Sequence, residues 1–127
     1  MKFMEKIRVM LAEDNQSILR LLSDFLSGKP EIELVAAVSD GAAILDAVRE
    51  HGPDVLVMDV IMPRKDGFMA LEELGRLDEC ARPKVIVLTG LSRDDFIMRA
   101  FALGASYYMF KPFYLHVLYH RILEVAG

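Results

Sequence analysis

The sequence holds a single cysteine, Cys80, in 127 residues. No internal disulfide can form, and a reducing cytoplasm is the natural setting. Long apolar runs are missing too, and none approaches the ~20 residues needed to cross a bilayer. The opening Met1-Lys2-Phe3-Met4-Glu5-Lys6 lacks the continuous apolar core of a secretion signal. Basic charge is not in excess. The net charge is −4, which argues against a segment that grips nucleic acid, since that needs a basic face. No GxGxxG or P-loop glycine fingerprint follows the first apolar run, so dinucleotide and nucleotide readings are poor. There is no low-complexity linker and no close internal repeat. What remains is 54% hydrophobic and 27% charged. That composition predicts one soluble domain, residues 1–127, with room for one real core.

The chain is organised around Val55-Leu56-Val57-Met58, an apolar run that leads without a break into Asp59. Gly52-Pro53 precedes it, and Pro63 and Gly67 follow. A short apolar run between turn residues reads as a strand buried on both faces. Four more strands are predicted at Ile7–Ala12, Ile32–Val38, Lys84–Thr89 and Ser106–Phe110. Helical spacing fills the gaps. Ile18, Leu19, Leu21, Leu22, Phe25 and Leu26 have the spacing of one apolar face of a first helix, capped by Asn15 or Ser17 and stopped by Gly28 with Pro30. Ala43, Ile44, Ala47 and Val48 give a second, and Leu71, Leu74 and Leu77 a third. Ser92 or Asp94 opens a fourth through Phe96, Ile97, Ala100 and Leu103, ended by Gly104. Tyr114–Val125 is the fifth.

Five strands alternating with five helices predict an α/β fold, a doubly wound parallel sheet covered on both faces. The order 2-1-3-4-5, flavodoxin-like, is common for five strands and places ligands beside strands one and three. Glu13 and Asp14, Asp59, Thr89 and Lys111 all fall at carboxyl ends of predicted strands, so topology gathers them at one edge. Carboxylates packed together repel, by roughly 4 kcal/mol per pair at ~4 Å and an effective dielectric of ~20. Oxygen ligands of this kind suit Mg²⁺ or Mn²⁺, and Lys111 adds a second positive charge. Such a site invites a phosphoryl group. A carboxylate can be the nucleophile, with Thr89 bonding a phosphoryl oxygen and Lys111 neutralising charge. The plainer reading, caps and a buried ion pair without chemistry, has to explain four strand ends at once.

These residues resemble the receiver domain of two-component response regulators. The likeness runs from Ile7 to Val125. It rests on Glu13-Asp14-Asn15, on Asp59 with Met62-Pro63 and Asp66-Gly67, on Thr89-Gly90, on Gly104-Ala105-Ser106-Tyr107-Tyr108 and on Lys111-Pro112-Phe113. The resemblance implies that Asp59 is the phosphoacceptor and that Glu13, Asp14, Asp59 and the Ile61 carbonyl hold Mg²⁺. It implies that Thr89 and Lys111 read the phosphoryl group, and that Tyr108 is an aromatic switch that turns inward. It further implies a histidine kinase or phosphotransferase as donor, a non-enzymatic switch, and pairing through the fourth and fifth helices. The first acidic residue is usually Asp in the family, and Glu13 departs by one methylene. Within the family, Met4–Val9, Pro53–Pro63 and Leu103–Tyr108 are similar to the receivers of sporulation transcription regulators, which implies control of transcription.

Other residues carry smaller expectations. Ile61 and Leu91 stand two residues after Asp59 and Thr89. Apolar side chains there cannot activate water, which predicts a long-lived phosphoryl group. The last helix is apolar nearly all round, which predicts a partner surface. His116 and His120 are expected to be solvated rather than metal ligands, as are the charges of Arg64 and Lys65. A stand-alone relay or interaction receiver without DNA-binding output is one alternative. A hydrolase that turns over an aspartyl phosphate is another, though Ile61 occupies the place where the haloacid dehalogenase group needs a second Asp.

Overall fold

The computed structural model describes residues 5–62 and 64–127. The opening Met1–Met4 and Pro63, the turn residue expected after the third strand, lie outside the described residues. Five strands, β1 (Ile7–Ala12), β2 (Ile32–Val38), β3 (Val55–Met58), β4 (Lys84–Thr89) and β5 (Tyr107–Phe110), form one parallel sheet in the order 2-1-3-4-5. The helices are α1 (Gln16–Ser27), α2 (Ile44–His51), α3 (Gly67–Leu74), α4 (Asp94–Ala102) and α5 (Leu115–Ala126). This is the expected flavodoxin-like fold.

The alternation of side chains along the central strands builds two cores. Met10, Ala12, Leu56, Met58, Val85 and Val87 face α2, α3 and α4, where Ile44, Val48, Phe68, Leu71 and Ala100 meet them. Val9, Leu11, Val55, Val57, Ile86 and Leu88 face α1 and α5, where Leu22, Leu26, Leu118 and Ile122 meet them. β3 is buried along its whole length, because it is central and covered on both sides. A one-residue bulge leaves Val35 of β2 without a partner between Val9 and Met10 of β1.

Local chemistry decides the element ends. Asn15, not Ser17, caps α1 by accepting the Ile18 N–H at 3.1 Å. The α3 helix stops at Leu74 with Gly75 as its cap, so Leu77 lies beyond it, contrary to the periodicity. A 3₁₀ turn over Gly41–Ala43 precedes α2 and takes Ala43 out of the helix. A second 3₁₀ turn, Glu79–Ala81, carries the exposed Cys80. Tyr114 is the cap of α5 rather than its first residue. Ser106 stands just outside β5, although its N–H still donates to the Val85 carbonyl at 2.8 Å.

Candidate functional site

The carboxyl edge of the sheet continues past the regular strands through backbone bonds. Asp59 N–H donates to the Ala12 carbonyl at 3.0 Å, and Glu13 N–H donates to the Val38 carbonyl at 3.0 Å. Lys111 N–H donates to the Thr89 carbonyl at 2.9 Å. The residue after each of β1, β3 and β5 is thereby fixed at one rim. Glu13 and Asp59 are buried, and Asp14 is exposed. One oxygen from each of the three carboxylates lies within 4.8 Å of the others.

Lys111 reaches into this cluster from β5. Its Nζ donates to Glu13 Oε1 at 2.5 Å and to Asp59 Oδ2 at 2.8 Å. Burial works against the ammonium charge, but the hydrogen bonds and charges of Asp59 and Glu13 outweigh it and hold the Lys111 pKa above its ordinary value. The other carboxylate oxygens are taken by backbone. Glu13 Oε2 accepts the Asn15 N–H at 3.1 Å, and Asp59 Oδ1 accepts the Ile61 N–H at 3.0 Å.

Three carboxylates and one ammonium leave a formal charge of two negatives at the rim. A hard divalent cation matches that charge and that all-oxygen donor set, and the exposure of Asp14 leaves room for the waters Mg²⁺ keeps. The residues therefore fit the implied metal. Glu13, longer by one methylene than Asp, spends its extra reach on Lys111.

Thr89 is fully buried at the end of β4, next to this cluster, and its Oγ1 receives the Leu91 N–H at a long 3.5 Å. Tyr108 is already turned inward. It is 8% exposed, and its hydroxyl donates to the Leu91 carbonyl at 2.7 Å. Burial, and then the charge of Asp59, raises its pKa. The Ile61 side chain is 53% exposed at the mouth.

One expectation about charge, that for Lys65, does not hold. The Arg64 side chain is 76% exposed, as expected of a solvated charge, but Lys65 is not simply solvated. Arg64 pairs with Asp40, and Lys65 Nζ lies 2.7 Å from Glu73 Oε2, with both side chains of the second pair about three-quarters buried. The last helix buries only Leu118 and Ile122 completely.

The profile of the response regulator receiver domain matches residues 9–123. The chain belongs to that family. Receivers accept phosphoryl groups from histidine kinases and typically bind Mg²⁺, and this receiver has the acidic cluster. Solved receivers share its fold. The response regulator domain of CheB from Thermotoga maritima is 24% identical, with a TM-score of 0.87 over 96% of this chain and 97% of that one. A LuxR-family DNA-binding response regulator from Staphylococcus aureus is 21% identical, with a TM-score of 0.87 over 95% and 99%. The phosphorylated cyanobacterial phytochrome response regulator RcpA is 26% identical, with a TM-score of 0.78 over 94% and 91%. Among the described residues, no helix of this receiver is long and apolar enough to cross a membrane.

Proposed function

We propose that this receiver is a phosphorylation switch in which Asp59 carries the phosphoryl group. The observation behind the reading is the Lys111 ammonium held between Glu13 and Asp59 at the rim where Asp14 also lies. A carboxylate oxygen of Asp59 attacks phosphorus, the bond from phosphorus to the donor's imidazole nitrogen breaks, and that nitrogen keeps the electron pair. Glu13, Asp14, Asp59 and the Ile61 carbonyl would hold Mg²⁺, or Mn²⁺ in its place. When bound, the cation supplies positive charge at the transferring group's oxygens. Lys111 needs only to shift from Glu13 to follow the new charge. Thr89 bonds a phosphoryl oxygen by giving up its long contact with Leu91 N–H, and because Tyr108 holds the Leu91 carbonyl, the same loop feels both.

The donor is a histidine kinase or a phosphotransferase. Ile18, Leu21 and Phe113 flank Lys111 in one apolar cleft beside the mouth, and Leu21 is half exposed. That border is where a donor helix bringing a phosphohistidine to Asp59 would rest. Each chain takes one phosphoryl group and is not an enzyme in this reading. A hydrolase of the haloacid dehalogenase kind would need a second Asp two residues after Asp59, where Ile61 stands.

Met98, Phe101, Phe110 and Tyr114 are exposed on α4, on β5 and at the start of α5. They support a homodimer through that face, for which sedimentation of the phosphorylated protein is decisive. A sedimentation coefficient that stays monomeric rejects it. The finer reading, output in sporulation transcription, rests on the similarity of Met4–Val9, Pro53–Pro63 and Leu103–Tyr108. Replacing Asp59 by Asn in the host collapses spore counts under that reading and leaves them unchanged if it is wrong.

Beryllium fluoride with Mg²⁺ tests the switch itself. Tight binding that Asp59→Asn abolishes is expected. Equal binding by the variant removes Asp59 from the role.

A further inference from the structure

We infer that the corner between β2 and α2, Asp40 with Gly41, is a positioning element that sets the acceptor loop and through it the affinity for the divalent cation. The inference rests on the proposed function, since it concerns the loop that carries the Ile61 carbonyl.

The loop after Asp59 is held from several sides. Ile61 N–H is tied to Asp59 Oδ1, and Gly67 N–H donates to the Val60 carbonyl at 2.8 Å. Gly67 presses so closely that a Cβ there would lie 2.4 Å from the Val60 Cα. Val60 is 2% exposed and Met62 8%, and both pack into the core that faces α2, α3 and α4, which anchors the start of the loop. Its outer half meets the rest of the fold at Arg64 and Lys65. The Lys65 carbonyl is packed onto Gly41, where a Cβ would stand 1.6 Å from the carbonyl oxygen. Arg64 pairs with Asp40, and Lys65 pairs with Glu73 of α3.

Arg64 has φ +68. A side-chain-bearing residue keeps that backbone only when its surroundings hold it there. Asp40 is equipped to hold it. One of its oxygens is spent on the Ala42 N–H at 2.7 Å, which fixes the carboxylate, and the other faces Arg64. The Arg64 partner, followed by that N–H bond, holds the Asp40 pKa below its ordinary value. Asp40 and Gly41 touch neither the carboxylate cluster nor Lys111 in any described contact. Their reach to the site runs through the chain that joins Lys65 to Ile61.

Three variants and one control test the inference in the full chain. Mg²⁺ titration followed by amide resonances reads cation affinity. Metal-free spectra read the loop directly. Gly41→Ala must push the Lys65 carbonyl away, so its Mg²⁺ affinity falls about tenfold, as for supports behind metal ligands elsewhere. The Ile61 and Lys65 amide resonances also shift without metal. Asp40→Asn keeps an oxygen for Ala42 but loses the charge, and Arg64→Ala loses the partner. Each weakens Mg²⁺ by about two- to fivefold, because the Arg64 side of the pair is largely exposed. Leu26→Ala, in the core on the opposite face, lowers the melting temperature and leaves both readouts unchanged.

Folded Gly41→Ala with wild-type affinity and unmoved Ile61 resonances overturns the inference. Should that variant not fold, wild-type affinity in both Asp40→Asn and Arg64→Ala overturns it. Wild-type protein that binds no Mg²⁺ overturns the proposed function and this inference together. Wild-type protein that binds, with variants that bind equally, overturns this inference alone.

Discussion

Replacing Lys111 by Met leaves Glu13 and Asp59 buried without the ammonium that now bridges them. Glu13 is 3% exposed and Asp59 6%, and the Lys111 side chain is 19% exposed. Breaking a buried pair by removing one partner costs roughly 3–5 kcal/mol, and the partial exposure of Lys111 puts the expected loss near the low end, at about 3 kcal/mol. For a chain of this length each kcal/mol moves the melting temperature by roughly 3–4 °C, so the shift is about 10 °C. The assay is thermal unfolding in metal-free buffer and again in excess Mg²⁺. The rim of the variant carries three carboxylates and no ammonium, so Mg²⁺ should raise its melting temperature more than that of the wild type. Asp59→Asn provides the opposite sign. It lowers the formal charge from two negatives to one and keeps the Lys111–Glu13 pair, so its metal-free stability should stay within about 1 kcal/mol of wild type. A Lys111→Met protein that melts at or above the wild-type temperature without metal would refute the reasoning.

Three further expectations follow from the same geometry. The raised pKa of Lys111 means that its bridge stabilises the fold fully below its ordinary value of 10.5 and is lost as pH climbs through the raised one. Metal-free wild type should therefore lose stability more steeply than Lys111→Met as pH rises above about 10.5, and parallel losses would contradict the assignment. Ile61→Gln puts a polar group at the exposed mouth, where it can orient water, and should speed phosphoryl loss by up to about a hundredfold. Loss at the wild-type rate would show that Ile61 does not guard the label. Tyr108→Phe removes the bond to the Leu91 carbonyl and should cost about 1 kcal/mol in urea unfolding, with an unchanged midpoint counting against that bond.

The legible part of this fold is the part set by period and order. β3 is short and apolar, and the common 2-1-3-4-5 order sets β1 beside it, so sequence pattern alone puts Glu13, Asp14 and Asp59 at one rim. Lys111 could be placed there too, because it follows the last strand directly. Pairing within the rim was not legible. Nothing in the order of residues says that Lys111 spans Glu13 and Asp59 rather than facing water. Arg64 and Lys65 read as solvated charges because their partners, Asp40 and Glu73, lie 24 and 8 residues away. The contact of Asp40-Gly41 with the acceptor loop was not legible either, because it depends on how closely two backbones approach. The end of α3 was missed for a local reason. Leu77 keeps the helical period, yet Gly75 caps the helix two residues earlier.

The most direct measurement is phosphorylation by a small-molecule donor such as acetyl phosphate, with and without Mg²⁺, followed by mass mapping of the labelled residue. One phosphoryl group on Asp59, dependent on Mg²⁺ and absent from Asp59→Asn, is the predicted result. Label on another residue, or no label under conditions where the protein is folded and Mg²⁺ is bound, would contradict the account.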